Sequence, residues 1–155
     1  AMEETRAGLE RRVAERTGAL AEANARLREG EARFRGLFNA TFQFIGLLSP
    51  DGTVLEANAA TLRLADVGAE EAIGHPYWAA PWWPRDAMTQ ALLREAIADG
   101  ASGRFVRREM SMRDATGHEV AVDFSVTPVR GEDGIVSLLV AEARDFSGRY
   151  GRPEV

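Results

Sequence analysis

The sequence predicts an α+β domain carried behind a long helix, and three observations carry that prediction. Residues 3–29 consist almost wholly of Ala, Glu, Arg and Leu, with no Pro and almost no β-branched residue, which is strong helix chemistry. The hydrophobic period then switches to two in separate blocks, 42–58 and 104–146, with helical pieces between them. Within the second block "SLLVAEARD" is apolar on both faces in its middle, so that strand is expected at the centre of a sheet, covered on both sides.

The long helix comes first. Counted in sevens, Val13, Leu20, Leu27 and Phe34 share one position, while Leu9, Arg16, Ala23, Gly30 and Leu37 share its partner. The first series fits a coiled-coil seam; Arg16 and Gly30 weaken the second. A stripe this narrow would bury little on its own domain, which favours a two-stranded coiled coil over a lone amphipathic helix. Gly30 is expected to end this segment, and "EARFRGLFNA" then reads as a separate short helix with Phe34, Leu37 and Phe38 on one side. Accordingly 1–30 is assigned to the coiled coil, 31–147 to the domain and 148–155 to a linker.

"FQFIGLLSPDGTVLEAN" reads as strand, Pro-Asp-Gly turn, strand. "NAATLRLADVGAEEAIG" gives two short helical pieces, divided at Gly68 and stopped at Gly74. Pro81 and Pro84 bracket a stretch, "HPYWAAPWWP", that holds all three tryptophans. Pro84 suits the first turn of the next helix, whose inner face is expected to carry Met88, Leu92 and Ala96, with Gly100 beyond its end. Two strands joined by Ala-Thr-Gly follow, then "GEDG" and the last strand. Alternation places Val120, Val122, Phe124 and Val126 on one face and Ala121, Asp123, Ser125 and Thr127 on the other. In the preceding strand Val106, Arg108, Met110 and Met112 share the inner face.

The totals exclude several classes. A 45% apolar, 28% charged chain of 155 residues with net charge −5 and no basic block is globular and a poor nucleic-acid binder. Cys is absent, which removes disulfides and thiolate chemistry and leaves a reducing, cytoplasmic setting as the default. No apolar run approaches the roughly 20 residues of a membrane span, so no direct membrane insertion is expected.

The order helix, two strands, short helices with one longer one, three strands, with its markers "LLSPDGTVLEAN", "EEAIGHPYW", "DFSVTPVR", "EDGIV" and "ARDFS", resembles a PAS domain of the bacterial sensor histidine kinase kind. The resemblance spans about 31–147. It implies a five-stranded antiparallel sheet of order 2-1-5-4-3, its concave face closed by helices around a small-molecule pocket or a packed core. "LERRVAERTGALAEANARLREGEARF" looks like the signalling helix that feeds such domains, and "DFS" stands where many of them carry Asp-Ile-Thr.

Catalysis is not expected in this chain. Only His75 and His118 are available, each in a turn context, and no convergent metal-ligand cluster or phosphate loop is visible. Flavin-adduct photochemistry of the resembling family needs a Cys, and its haem proteins commonly take a His from the longer helix, which has none here. No cofactor is therefore expected, and an unknown small molecule remains open. The pocket candidates are Trp78, Trp82, Trp83, Met88, Leu92, Arg108, Met110, Met112, Val122, Phe124, Leu139 and Ala141. No inward acid is evident for a cation cage, so Trp82 and Trp83 are read as core and pocket wall, with Trp78 touching a ligand. Arg108 either snorkels to water or anchors a carboxylate.

Ile45, Leu47, Leu138 and Val140 are expected to point outward, beside a charged strip of Arg107, Glu109 and Asp123. With Val13, Leu20, Leu27, Phe34, Leu37 and Phe38 they form the expected homodimer surface. The resemblance makes Asp145 a signal relay near the exit, with Arg107 or Arg144 as its cation. The expected role is a PAS sensory module relaying to its own kinase output in two-component signalling. A module regulating a cyclic-dinucleotide enzyme and a ligand-free dimerisation spacer are the alternatives.

Overall fold

The computed structural model describes residues 5–146, so the expected linker 148–155 and the Ser147 of "DFS" lie outside the described residues. Two compact units divide between Leu37 and Phe38. Helix α1 (Arg6–Ala40) supplies the first unit, and its last turn belongs to the second. The expected break at Gly30 does not occur. A glycine inside a helix costs only about 1 kcal/mol against alanine, and the strong helix formers on either side carry the hydrogen-bond ladder across it. Val13, Leu20, Leu27 and Leu37 are all more than half exposed along this helix.

The second unit contains strands β1 (Phe44–Leu48) and β2 (Val54–Ala57), helix α2 (Ala59–Ala65), helix α3 (Ala87–Ala101), and strands β3 (Val106–Arg113), β4 (Glu119–Arg130) and β5 (Val136–Asp145). Single 3-10 turns stand at Ala69–Glu71 and Tyr77–Ala79. The sheet is antiparallel throughout, in the order β2-β1-β5-β4-β3. The strand that reads as apolar on both faces, β5, is the central one. The β1–β2 turn closes through Asp51, which accepts from the Thr53 amide at 3.0 Å, while Gly52 takes φ +92°. A Cβ at Gly52 would meet the Trp78 ring at 2.7 Å, so the turn sits directly beneath that indole.

Helix α3 begins one turn later than its proline suggests. Asp86 is the N-cap, accepting from the Thr89 amide at 2.9 Å, and Pro84 lies before it, buried. The inner stripe is Leu93, Ala96, Ile97 and Gly100, an i, i+3, i+4, i+7 set, which leaves Met88 outside the core at 71% exposure. Gly100 is where the helix comes closest to the sheet, since a Cβ there would meet Val126 at 2.7 Å and Leu139 at 3.2 Å.

Candidate functional site

The concave face of the sheet and the segment 77–84 enclose one apolar core. Strand alternation sends Met110 and Met112 from β3, Val122, Phe124 and Val126 from β4, and Leu139 and Ala141 from β5 to the same side, and all are buried. Trp82 and Trp83 meet them from the helical wall, 0% and 1% exposed. Of the twelve pocket candidates, these eight large or small apolar residues other than Val126 gather in that core; Trp78 and Leu92 pack at its margin, and Met88 does not reach it.

Tyr77, which carried no weight in the sequence reading, stands at the centre of the aromatic cluster. Its ring stacks on Phe124 (centroids 6.2 Å apart, planes at 14°) and meets Trp82 and Trp83 edge-on at 6.2 and 5.8 Å. Trp83 also meets Phe124 edge-on at 5.3 Å. Each such pair adds about 0.5–1.5 kcal/mol beyond the area it buries. Burial pushes the Tyr77 phenol well above its ordinary value, against the smaller opposing pull of the nearby Trp83 and Trp82 indoles. Neither indole N–H, however, attains hydrogen-bond geometry with any protein acceptor. A buried donor left in that state costs about 1–3 kcal/mol.

Trp78 has a different situation. The Arg94 guanidinium lies 5.2 Å from its ring centroid, so the cation against the tryptophan stretch comes from the chain itself. Gln90 holds the segment in place by donating to the Trp78 and Pro84 carbonyls at 2.8 and 2.9 Å.

Arg108 faces inward but is half-buried near the open side. Its guanidinium reaches Glu95 at 3.4 Å and Asp99 at 3.9 Å, both on α3, and its buried Nε has no protein acceptor. This is the geometry of a side chain extending toward the rim, with carboxylates of its own.

A second polar network joins the incoming helix to the sheet. Asn58 is fully buried and caps α2: its Oδ1 accepts from Thr61 N at 3.3 Å, Thr61 Oγ1 at 2.6 Å and Ile45 N at 3.0 Å. Its Nδ2 donates to the Gln43 carbonyl at 2.8 Å. The next α2 amide, Ala59, donates to Asn39 Oδ1 in the last turn of α1 at 2.9 Å. Two asparagines thus satisfy amides that the start of α2 would otherwise leave open. The pattern Asn-Ala-Ala-Thr was a readable cap signal, whereas the Asn39 contact spans 20 residues and no local pattern announces it.

On the outer face Ile45, Leu47, Leu138 and Val140 are half-buried on the adjacent strands β1 and β5. Beside them Arg107 forks onto Asp123, with contacts of 2.6, 2.9 and 3.1 Å. Arg107 is thereby engaged by Asp123, one residue pair from the end of β5, where Asp145 is half-buried opposite Val122 and Arg144 is exposed opposite Asp123. The Arg107 hydrogen bonds hold the Asp123 carboxyl below its ordinary value of 3.8. A carboxyl lowered in the folded state contributes stability that is fully present above the unfolded value and is lost as pH falls through the folded one. Asp123→Asn should therefore lower stability at neutral pH by this contribution and flatten the fall below about pH 4, so that the two curves converge in acid. Urea titrations of both proteins from pH 2 to 7 check this, and parallel acid limbs would contradict it.

A family model described as the PAS fold matches residues 38–151. The chain belongs to the PAS family. The PAS domain of an HTR-like protein from Haloarcula marismortui superposes with a TM-score of 0.65 at 20% identity, covering 81% of this chain and 99% of that one. A PAS domain from Colwellia psychrerythraea gives 0.62 at 20% identity, covering 79% and 99%. Among curated relatives, the sensor histidine kinase TmoS of Ectopseudomonas mendocina is 35% identical over 83% of this chain. The hybrid signal transduction histidine kinase D of Dictyostelium discoideum is 28% identical over 78%. The chain spans only 13% and 8% of the length of those two proteins. This PAS domain thus has relatives within sensor histidine kinases. Among the described residues no helix is long and apolar enough to cross a membrane.

Proposed function

We propose that this PAS domain is the cytoplasmic sensory and dimerising module of a larger sensor histidine kinase, passing the state of its core to a kinase output in the same protein. The continuity of α1 is the observation that supports this best. Its last turn places Phe38 in the core at 7% exposure and Asn39 on the first amide of α2. A rearrangement of core or sheet then has a direct mechanical route into α1, and a change in the populations of two helix arrangements would set the output. The exposed seam of Val13, Leu20 and Leu27 supports a two-stranded coiled coil, with the outer apolar strip of Ile45, Leu47, Leu138 and Val140 as a second contact. Light scattering of the chain should give about twice its 16.9 kDa, and a monomer at high concentration would remove the dimer from the proposal.

Asp145, at the end of the central strand, is the proposed relay on the exit side. In the parent kinase Asp145→Ala should change autophosphorylation by about threefold or more, in either direction, while the isolated domain melts within a few degrees of wild type. Unchanged phosphorylation with the fold intact would exclude this residue from the relay.

A further inference from the structure

The two edges of the sheet are finished differently. Along β2 the chain closes its own edge: the Gly74 amide donates to the Val54 carbonyl at 2.8 Å, and the Val54 amide donates to the His75 carbonyl at 2.9 Å. Most of β3 has no such cover, and two hydrogen bonds at its end fix its phase. Asp114 N donates to the His118 carbonyl at 3.0 Å, within the hairpin, whereas Arg113 N donates away from β4, to the Trp82 carbonyl at 2.9 Å. Hydrogen-bonded positions alternate along an antiparallel pair, so the amides and carbonyls of Arg107, Glu109 and Ser111 also face away from β4. Among the described residues nothing bonds to these three amides and three carbonyls. An open edge of this kind is a template for one more strand.

The surroundings select which strand fits. A groove of about 530 Å³ lies between this edge and the start of α3. Its apolar wall includes Pro84, Leu92 and Met110. Its polar wall carries three carboxylates, those of Asp86, Glu109 and Glu119. Of the arginines on β3, Arg107 is held by Asp123, and Arg108 by Glu95 and Asp99. With Arg113 counted, which stands opposite Glu119, the groove still has three carboxylates against one cation. Side chains of an added strand alternate between the faces of the sheet, so one set meets Met110 and Leu92 while the other meets Glu109. A second copy of β3 fits poorly. Two-fold antiparallel pairings centred on residue 108, 109 or 110 set Arg108 on Arg108, Glu109 on Glu109 or Arg107 on Arg113.

We infer that the β3 edge and its groove dock an extended segment of a partner protein, one that alternates apolar and basic residues and adds to the sheet as a sixth strand. The inference goes beyond the sensory reading and stands without it. Main-chain hydrogen bonds to Arg107, Glu109 and Ser111 hold the segment, and the carboxylates and the apolar wall select its side chains.

The test titrates a blocked hexapeptide of alternating arginine and valine into the ¹⁵N-labelled full chain, with amide exchange followed by NMR. In the free chain the Arg107, Glu109 and Ser111 amides should exchange about tenfold faster or more than those of Arg108, Met110 and Met112. Saturating peptide should slow the first set by about tenfold or more and leave the second little changed. Glutamate in place of arginine in the peptide, or N-methylation of its edge-facing amides, should weaken binding by about tenfold or more, and Glu109→Gln should weaken the basic peptide about threefold. Arg107, Glu109 and Ser111 amides already protected in the free chain would overturn the inference: protection lost on dilution assigns the edge to a second copy, and protection kept on dilution assigns it to this chain itself. No binding, binding that slows none of these amides, or equal binding of the N-methylated peptide would overturn it as well.

Discussion

Trp83→Ala should lower the unfolding free energy of the domain by about 3–5 kcal/mol, the cost of emptying a large aromatic site that cannot collapse. Trp83 is 1% exposed, packs edge-on against Tyr77 and Phe124, and is followed by a buried proline that fixes its backbone. Domains of this size are stable by only about 5–15 kcal/mol, so the variant should unfold at much lower urea and be partly unfolded near 37 °C. Trp78→Ala offers the internal comparison. Trp78 is half-buried and balanced against Arg94, so its loss should cost markedly less. Urea denaturation of the two variants measures the difference, and equal losses would mean that the cluster is not the packing centre of the domain.

The second large effect is expected at Asn58. Asn58→Ala removes a helix cap worth about 1 kcal/mol and leaves the Ile45 amide and Gln43 carbonyl without their partner, for a total of about 2–4 kcal/mol. Asn58→Asp keeps the accepting oxygen but sets a second oxygen against the Gln43 carbonyl, so it should not restore stability at neutral pH. Rescue by Asp would show that capping alone explains the residue. Asn39 contrasts with this. It is exposed, and its single bond to Ala59 is worth about 0.5–1.5 kcal/mol. Asn58 thus holds the sheet to α2, and Asn39 ties the last turn of α1 to α2.

The strands were the legible part of this fold. Two-residue alternation in β4 predicts its buried Val120, Val122, Phe124 and Val126, and a run apolar on both faces predicts that β5 is central, because each follows from the pleat alone. Helical phase was harder. Met88 and Leu92 lie one row over from the true stripe, and with small residues such as Ala91, Ala96 and Ala98 in the same helix the sequence discriminates poorly between adjacent rows. Gly30 misled because glycine lowers helix propensity without forbidding the helix. The site was legible as an aromatic wall opposite Met110, Met112, Phe124 and Leu139. Its polar character was not, since the convergence of two indoles on Tyr77 depends on the turn geometry of residues 77–84. The same holds for Arg108, whose alternation was right and whose partners lie on a helix 13 residues away.

In the proposed relay the state of this PAS core reaches the incoming helix through the Asn39–Ala59 hydrogen bond. The measurement is autophosphorylation of the full parent kinase carrying Asn39→Ala, set beside the melting temperature of the same variant domain. Phosphorylation should change by about threefold or more, with melting lowered by no more than roughly 4–8 °C, the shift expected for about 1 kcal/mol in a small domain. A kinase that phosphorylates at the wild-type rate with its α1–α2 hydrogen bond removed would contradict it.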